Sequence, residues 1–201
     1  MRKYVLDTNV FRDASAPGND DATKARRQQA IDFFKEVSAD EKAILLIPEE
    51  AKLELMVQMV AKDLRPSEKR KISRWINQCS VSSNVLESEM EQYIRMMSGY
   101  IVKRYRQEFE QETGLKAQYL RTSDARILYD AFSEDGVIVT RNVKDFLLYL
   151  VLNDHEEKVL YNIGNSNFVR ISAELHETIH RDTRFSNLFS IFIGLAELHD
   201  E

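Results

Sequence analysis

Five consecutive apolar residues, Ala43-Ile44-Leu45-Leu46-Ile47, followed by Pro48, limit the architectures open to this chain more than any other stretch. A strand with one face in water alternates apolar and polar residues. This run does not, so both of its faces must be covered, as in the interior of a parallel sheet with helices on either side. Pro48 then falls where proline is tolerated, at the start of a helix. Residues 2–6, ending at Asp7, read as a second buried strand, and Val137-Ile138-Val139 as a third, followed by Thr140-Arg141-Asn142.

Between these strands the apolar spacing becomes helical. The pattern predicts helices over 22–37, over 49–63 with Leu53, Val57 and Val60 on one stripe, and from Ser67 through Trp75 towards Asn77. A long helix is expected over 86–112, stopped at Gly114, and another over 124–134 capped by Thr122 or Ser123. Strands alternating with helices predict a layered α/β fold with a central parallel sheet. Composition changes after Asp154, where a strand over 168–171 and then helices to Glu201 are expected. The predicted organisation is a domain over 1–153, with a helical insertion at about 86–113, and a helical C-terminal extension over 154–201 packed on it. With only 6 Gly and 3 Pro, helix should outweigh loop.

The single cysteine, Cys79, excludes an internal disulfide and a cysteine zinc cluster, and suits a reducing compartment. Asp7 interrupts the apolar run behind Met1-Arg2-Lys3, and the longest apolar stretch, 146–152, is far too short to cross a bilayer. The expectation is a soluble cytoplasmic protein with no membrane partner. A net charge of −5 is not that of a chain that binds nucleic acid by bulk attraction. Carboxylates that hold a cation reverse the field locally, however, so net charge decides little.

Five acidic or amide residues gather at positions from which one rim of a parallel sheet can be reached. Asp7 ends the first strand, with Thr8 and Asn9 in the turn that follows; Glu54 lies one helical turn beyond Glu50; Asp124 opens a helix. Asn142 sits just past a strand end carrying Thr140, three residues ahead of Asp145. Each has an ordinary alternative: a turn cap for Asp7, a solvated helix position for Glu54, a dipole partner for Asp124, a capping box for Asn142 and Asp145. As a set they repel one another unless a cation is shared, and all-oxygen ligands suit Mg²⁺ or Mn²⁺.

The ordered segments Val5-Leu6-Asp7-Thr8-Asn9-Val10, Pro48 through Glu54-Leu55, Ser123-Asp124-Ala125, and Ile138-Val139-Thr140-Arg141-Asn142-Val143-Lys144-Asp145-Phe146 resemble the PIN-domain family. They are most similar to its bacterial VapC-like toxin ribonucleases. The resemblance implies a three-layer PIN-like sandwich and metal-dependent hydrolysis of RNA, leaving a 5′-phosphate and a 3′-hydroxyl. It implies Asp7, Glu54 and Asp124 as the acidic triad, Thr8 as its polar support, and Mg²⁺ or Mn²⁺ as cofactor. Asn142 stands where some members have Asp, so Asp145 is the expected fourth charge. The implied partners are single-stranded or structured RNA, an antitoxin protein and a second copy of the chain. Two features depart from compact toxin members: the long helical path between Glu54 and Asp124, and the tail after Asp154. A catalytically silent scaffold that binds RNA or a protein is the alternative within the same fold.

Two further patterns invite function. His176-Glu177-Thr178-Ile179-His180 spells the His-Glu-x-x-His signature of zinc peptidases, with Glu197 or His199 as candidate third ligands. The charges Glu174 and Arg181 around it are foreign to a buried zinc helix, and an amphipathic helix with Leu175 and Ile179 inward is the better reading. Lys62, Arg65, Lys69, Arg70, Lys71 and Arg74 concentrate positive charge after Glu54; the alternatives are a solvated helix face balanced in part by Asp63 and Glu68, or a phosphate-tracking flank in which Lys69, Arg70 and Arg74 are the expected RNA-binding residues.

Overall fold

In a computed structural model of the chain, residues 1–18 and 20–199 are described, His199 by its backbone alone. β1 (Arg2–Leu6) lies at the heart of a six-stranded sheet of order β3-β2-β1-β4-β5-β6. β2 (Ala43–Pro48), β3 (Ser80–Ser82), β4 (Val137–Thr140) and β5 (Leu160–Asn162) are joined in parallel pairs, and β6 (Asn167–Phe168) is antiparallel to β5. Val5 lies in register with Leu46 on one side and Ile138 on the other. The chain builds outward from β1 to β3, then returns to β4 on the opposite side of β1. That reversal opens a crevice beyond the carboxyl ends of β1 and β4, the place where such sheets hold ligands.

One helical layer contains α1 (Thr8–Ser15), α2 (Asp21–Ser38) and α4 (Pro66–Ile76). Phe33 of α2 meets Tyr4 of β1 and Tyr161 of β5 at ring distances of 5.7 and 5.3 Å, and Phe34 stacks on Trp75 at 4.4 Å. The other layer is α7 (Thr122–Ser133), with α5 (Ser88–Arg104) and α10 (Thr183–His199) packed around it. Phe132 of α7 meets Phe192 of α10 at 5.1 Å. The three-layer α/β sandwich predicted from the strand pattern is the fold observed.

Several local expectations give way to packing. The turn expected after Asp7 is the helix α1, whose Val10, Phe11 and Ala14 are buried. The long helix breaks at Tyr105 (φ −121°, ψ 15°) into α5 and α6 (Arg106–Thr113); the Tyr105 hydroxyl, like that of Tyr100, donates to Asp182 across the layer. Gly114 ends α6 in the left-handed conformation (φ 70°), as its place in the sequence predicts. In α3 (Glu49–Ala61) the predicted apolar stripe faces solvent: Leu53 is 51% exposed, Val57 64% and Val60 87%. Ala51 and Leu55 are buried in its place. The boundary expected at 153–154 falls within the sheet, since β5 and β6 extend it beyond β4, and the strand expected over 168–171 is the end of the β5–β6 hairpin. Among the described residues no helix is long and apolar enough to cross a membrane, and the final two residues of the expected tail helix lie outside them.

Candidate active site

Asp7 follows the last residue of β1 and holds the N-cap position of α1, yet its side chain makes no capping hydrogen bond. Its carboxylate is held from the sheet instead. The Thr140 hydroxyl at the end of β4 donates to Asp7 Oδ2 at 2.6 Å, and Asn9 Nδ2 donates to the same oxygen. The lone pairs of Thr140 Oγ1 accept from Asn9 Nδ2 at 3.0 Å and from the Asn142 amide at 2.9 Å, so this buried hydroxyl is fully used. Asn9 Oδ1 accepts from the Arg141 amide at 2.9 Å. Thus the two strand ends at the switch point are stitched together around one carboxylate.

Three more carboxylates reach this crevice from separate elements. Glu54 of α3 accepts from the Thr8 hydroxyl at 2.7 Å and from Gln58 at 2.8 Å, which fixes both of its oxygens. Asp124 lies in the first turn of α7. Asp145 ends a 3₁₀ turn (Val143–Asp145) after β4, where Asn142 Nδ2 donates to it. Burial, above all, pushes Asp7 up to about 7, with the charges of Asp124 and Glu54 adding to it and the Thr140 hydrogen bond opposing. Asp124 is raised to about 6, chiefly by burial and then by the charge of Asp145. Burial raises Asp145 as well. Carboxylates held this close, and this far from water, ionise reluctantly unless a cation joins them.

The carboxylate oxygens of this crevice are hard donors of the kind that Mg²⁺ takes. Both side-chain donors to Asp7 fall on Oδ2, so Oδ1 has no side-chain partner among the described residues, and it lies within electrostatic reach of Asp124 and Glu54. Among those residues no group of three or more His, Cys, Asp or Glu side chains is placed to hold a metal ion.

The structure thus brings Asp7, Thr8, Asn9, Glu54, Thr140 and Asn142 into direct contacts, with Asp124 and Asp145 beside them. Lys69, Arg70 and Arg74 stand apart on α4: Arg70 and Arg74 are exposed, Lys69 is half-buried, and none is bonded to the carboxylates. Glu50 is tied instead to Arg126 at 2.9 Å. Three contributors were not among the residues expected from sequence. Arg121 sits where its charge opposes the upward shifts of Asp124 and Asp145. Gln58 is the second partner of Glu54, and its spacing one turn further along α3 was the available signal. Asp13 holds the Arg141 guanidinium at 2.5 Å and so steadies the loop that carries Asn142.

The His-Glu-x-x-His segment lies on α9 (Ala173–Arg181), and its histidines are structural. His176 Nε2 bonds the Asn153 carbonyl at 2.9 Å and His180 Nε2 the Val151 carbonyl at 2.8 Å, clasping α9 to the segment that includes α8 (Tyr149–Leu152). The nitrogens that would face a zinc ion are therefore occupied. Glu197 is exposed, and the His199 side chain lies outside the described residues.

No family model and no curated protein matches the sequence. Comparison with solved structures finds VapBC2 from Rickettsia felis bound to a DNA fragment from its promoter: 17% identity, 72% of this chain and 90% of that chain covered, TM-score 0.44. FitAcB from Neisseria gonorrhoeae aligns at 13% identity over 73% of this chain and 92% of that chain, with a TM-score of 0.45. FitAB bound to an IR36 DNA fragment aligns at 10% identity over 80% of this chain and 95% of that chain, with a TM-score of 0.49.

Proposed function

We propose that this chain is a divalent-metal-dependent endoribonuclease of PIN type, acting as the toxin of a toxin–antitoxin pair. The observation that carries the proposal is the convergence of Asp7, Glu54, Asp124 and Asp145, from four separate elements, on the crevice where the strand order reverses. Carboxylates set beside one another repel unless a cation is shared among them, which is why the convergence supports this reading. The motif resemblance supports the same reading and supplies RNA as the substrate class.

A bound Mg²⁺ or Mn²⁺ supplies a polarised water and offsets charge on the phosphorus. Asp7 and Asp124 are the residues that would hold it, with Glu54 and Asp145 at its margins. Thr140 and Asn9 keep Asp7 Oδ2 engaged, which leaves Oδ1 without a side-chain donor among the described residues. Thr8 and Gln58 fix the Glu54 carboxylate so that it can take a proton from the attacking water. In the reaction a water oxygen bonds to phosphorus, the bond from phosphorus to the 3′-oxygen breaks, and that oxygen gains a proton. The apolar stripe of α3, Leu53, Met56, Val57 and Val60, gives a protein partner an exposed surface to cover.

The experiment is RNA cleavage by chelated protein with Mg²⁺, Mn²⁺ or Zn²⁺ added back. Activity with the first two and none with zinc is expected. Specific RNA binding with no cleavage under any metal would favour the silent-scaffold alternative instead.

A further inference from the structure

Immediately behind Asn9 a second cleft of about 360 Å³ opens between α1, α4 and the start of α2. Asn9 and Arg141 form the wall it shares with the carboxylate site. Thr8, Arg12 and Ser15 lie on one face of α1, spaced four and three residues apart, so this face runs from the Glu54 contact into the cleft. Leu64 and Ile72 supply an apolar wall.

One buried polar group in it has no partner. Ser15 is 2% exposed, and its hydroxyl has no hydrogen-bond partner among the described residues. A buried hydroxyl left unpaired is unfavourable, and groups of this kind take an ordered water or a ligand. Arg12, exposed in the lining, makes no hydrogen bond or ion pair among those residues; Arg26, exposed too, bonds to Thr23 at 3.3 Å and lies within electrostatic reach of Asp20. The two carboxylates of the lining are already engaged: Asp13 by Arg141 at 2.5 Å, Glu68 by the Arg65 amide at 3.1 Å. Three arginines (Arg12, Arg26 and Arg141) against two carboxylates leave the lining with a formal charge of +1.

We infer that this cleft binds one nucleotide of the RNA next to the scissile phosphate, its base against Leu64 and Ile72 with an edge on Ser15, its phosphate on Arg12 and Arg26. The inference rests on the ribonuclease reading and adds to it a base-selecting subsite. The volume is at the small end for ligand sites, which suits a single nucleotide and not a longer segment. A protein side chain bearing a carboxylate is the competing occupant; it would satisfy the arginines but leave the apolar wall uncovered.

The test uses the full chain, chelated so that no cleavage occurs, titrated by calorimetry with each of the four nucleoside 5′-monophosphates and separately with a short oligoglutamate. Saturable binding that prefers one base is expected, weakened about tenfold or more by Arg12→Glu. Ser15→Ala should flatten the base preference while leaving the melting temperature equal or higher, because the hydroxyl it removes has no partner to lose. Absence of saturable nucleotide binding, tighter binding of oligoglutamate, or binding unchanged in both variants would overturn the inference. Since no catalysis is involved, these outcomes are separate from failure of the ribonuclease reading. In a protein that does cleave, Ser15→Ala should relax selectivity at one position beside the cut in a random-sequence RNA pool.

Discussion

Asp7→Asn should make the protein more stable at alkaline pH, and the size of the gain follows from the site. Asp7 is 7% exposed, and no cationic side chain among the described residues is bonded to it. Its pKa rises from an ordinary 3.8 to about 7. An acid whose folded pKa is raised binds its proton more tightly when folded. Its contribution to stability is therefore fully present below pH 3.8 and is lost as pH rises through about 7. Each unit is worth about 1.4 kcal/mol, so between about pH 5 and pH 8 the wild type should lose roughly 3 kcal/mol through this residue. Asparagine does not ionise, and its carbonyl oxygen can still accept from Thr140 and Asn9. The stability difference between variant and wild type should thus grow by roughly 3 kcal/mol over that range, or by about 6–12 °C in melting temperature for a domain of this size. The assay is thermal unfolding followed by circular dichroism in excess chelator. Added Mg²⁺ at pH 8 should then raise the wild type more than the variant. A difference that does not change with pH would refute the argument, because it would mean that the Asp7 carboxylate is not held out of its ordinary range.

Thr140→Val should cost about 1–3 kcal/mol in urea unfolding, since it strands the Asn142 amide and removes a hydrogen bond to a carboxylate, and cleavage should fall with it; unaltered cleavage would show that the strand-end network does not position Asp7. His176→Ala and His180→Ala should leave cleavage intact while loosening α9. Burial holds His180 below its ordinary 6.5, so its contribution is present above that value and is lost as pH falls through the lowered folded pKa. Loss of bound zinc together with a peptidase activity would revive the metallopeptidase reading. Replacing Lys69, Arg70 and Arg74 with Glu should weaken RNA binding most at low salt, reducing the salt slope by about one for each phosphate no longer neutralised. An unchanged slope, on an Asp7→Asn background, would show that RNA does not follow α4.

How much of this was readable from sequence depends on how local the cause is. The uninterrupted run at 43–47 and the short runs at 2–6 and 137–139 betrayed the buried parallel strands, because burial on both faces leaves no choice of residue. Asp7 and Thr140 could be placed at strand ends for the same reason. What could not be read is what tertiary packing decides. Tyr105 has the spacing of another helical core position, and nothing local reveals that the helix breaks there or that its hydroxyl reaches Asp182, far along the chain. Leu53, Val57 and Val60 have the spacing of a core stripe, and nothing in α3 itself reveals that Ala51 and Leu55 take the buried side. β5 and β6 are three and two residues long, too short for any period to register, although they complete the sheet. In the site, Asp7 with Thr8 and Asn9 was legible as a motif. The Thr8–Glu54 bond joins residues 46 apart, and only the fold shows it.

The most direct test of the crevice as the seat of cleavage is single-turnover hydrolysis of a mixed-sequence RNA by chelated wild-type protein, Asp7→Asn and Asp124→Asn, each with and without added Mg²⁺ or Mn²⁺. Products with 5′-phosphates are expected from the wild type in the presence of metal alone. Both variants should cleave about 100-fold more slowly or worse, an activation loss of roughly 3 kcal/mol, while remaining cooperatively folded. Cleavage by both variants at the wild-type rate would contradict the assignment of the reaction to this crevice.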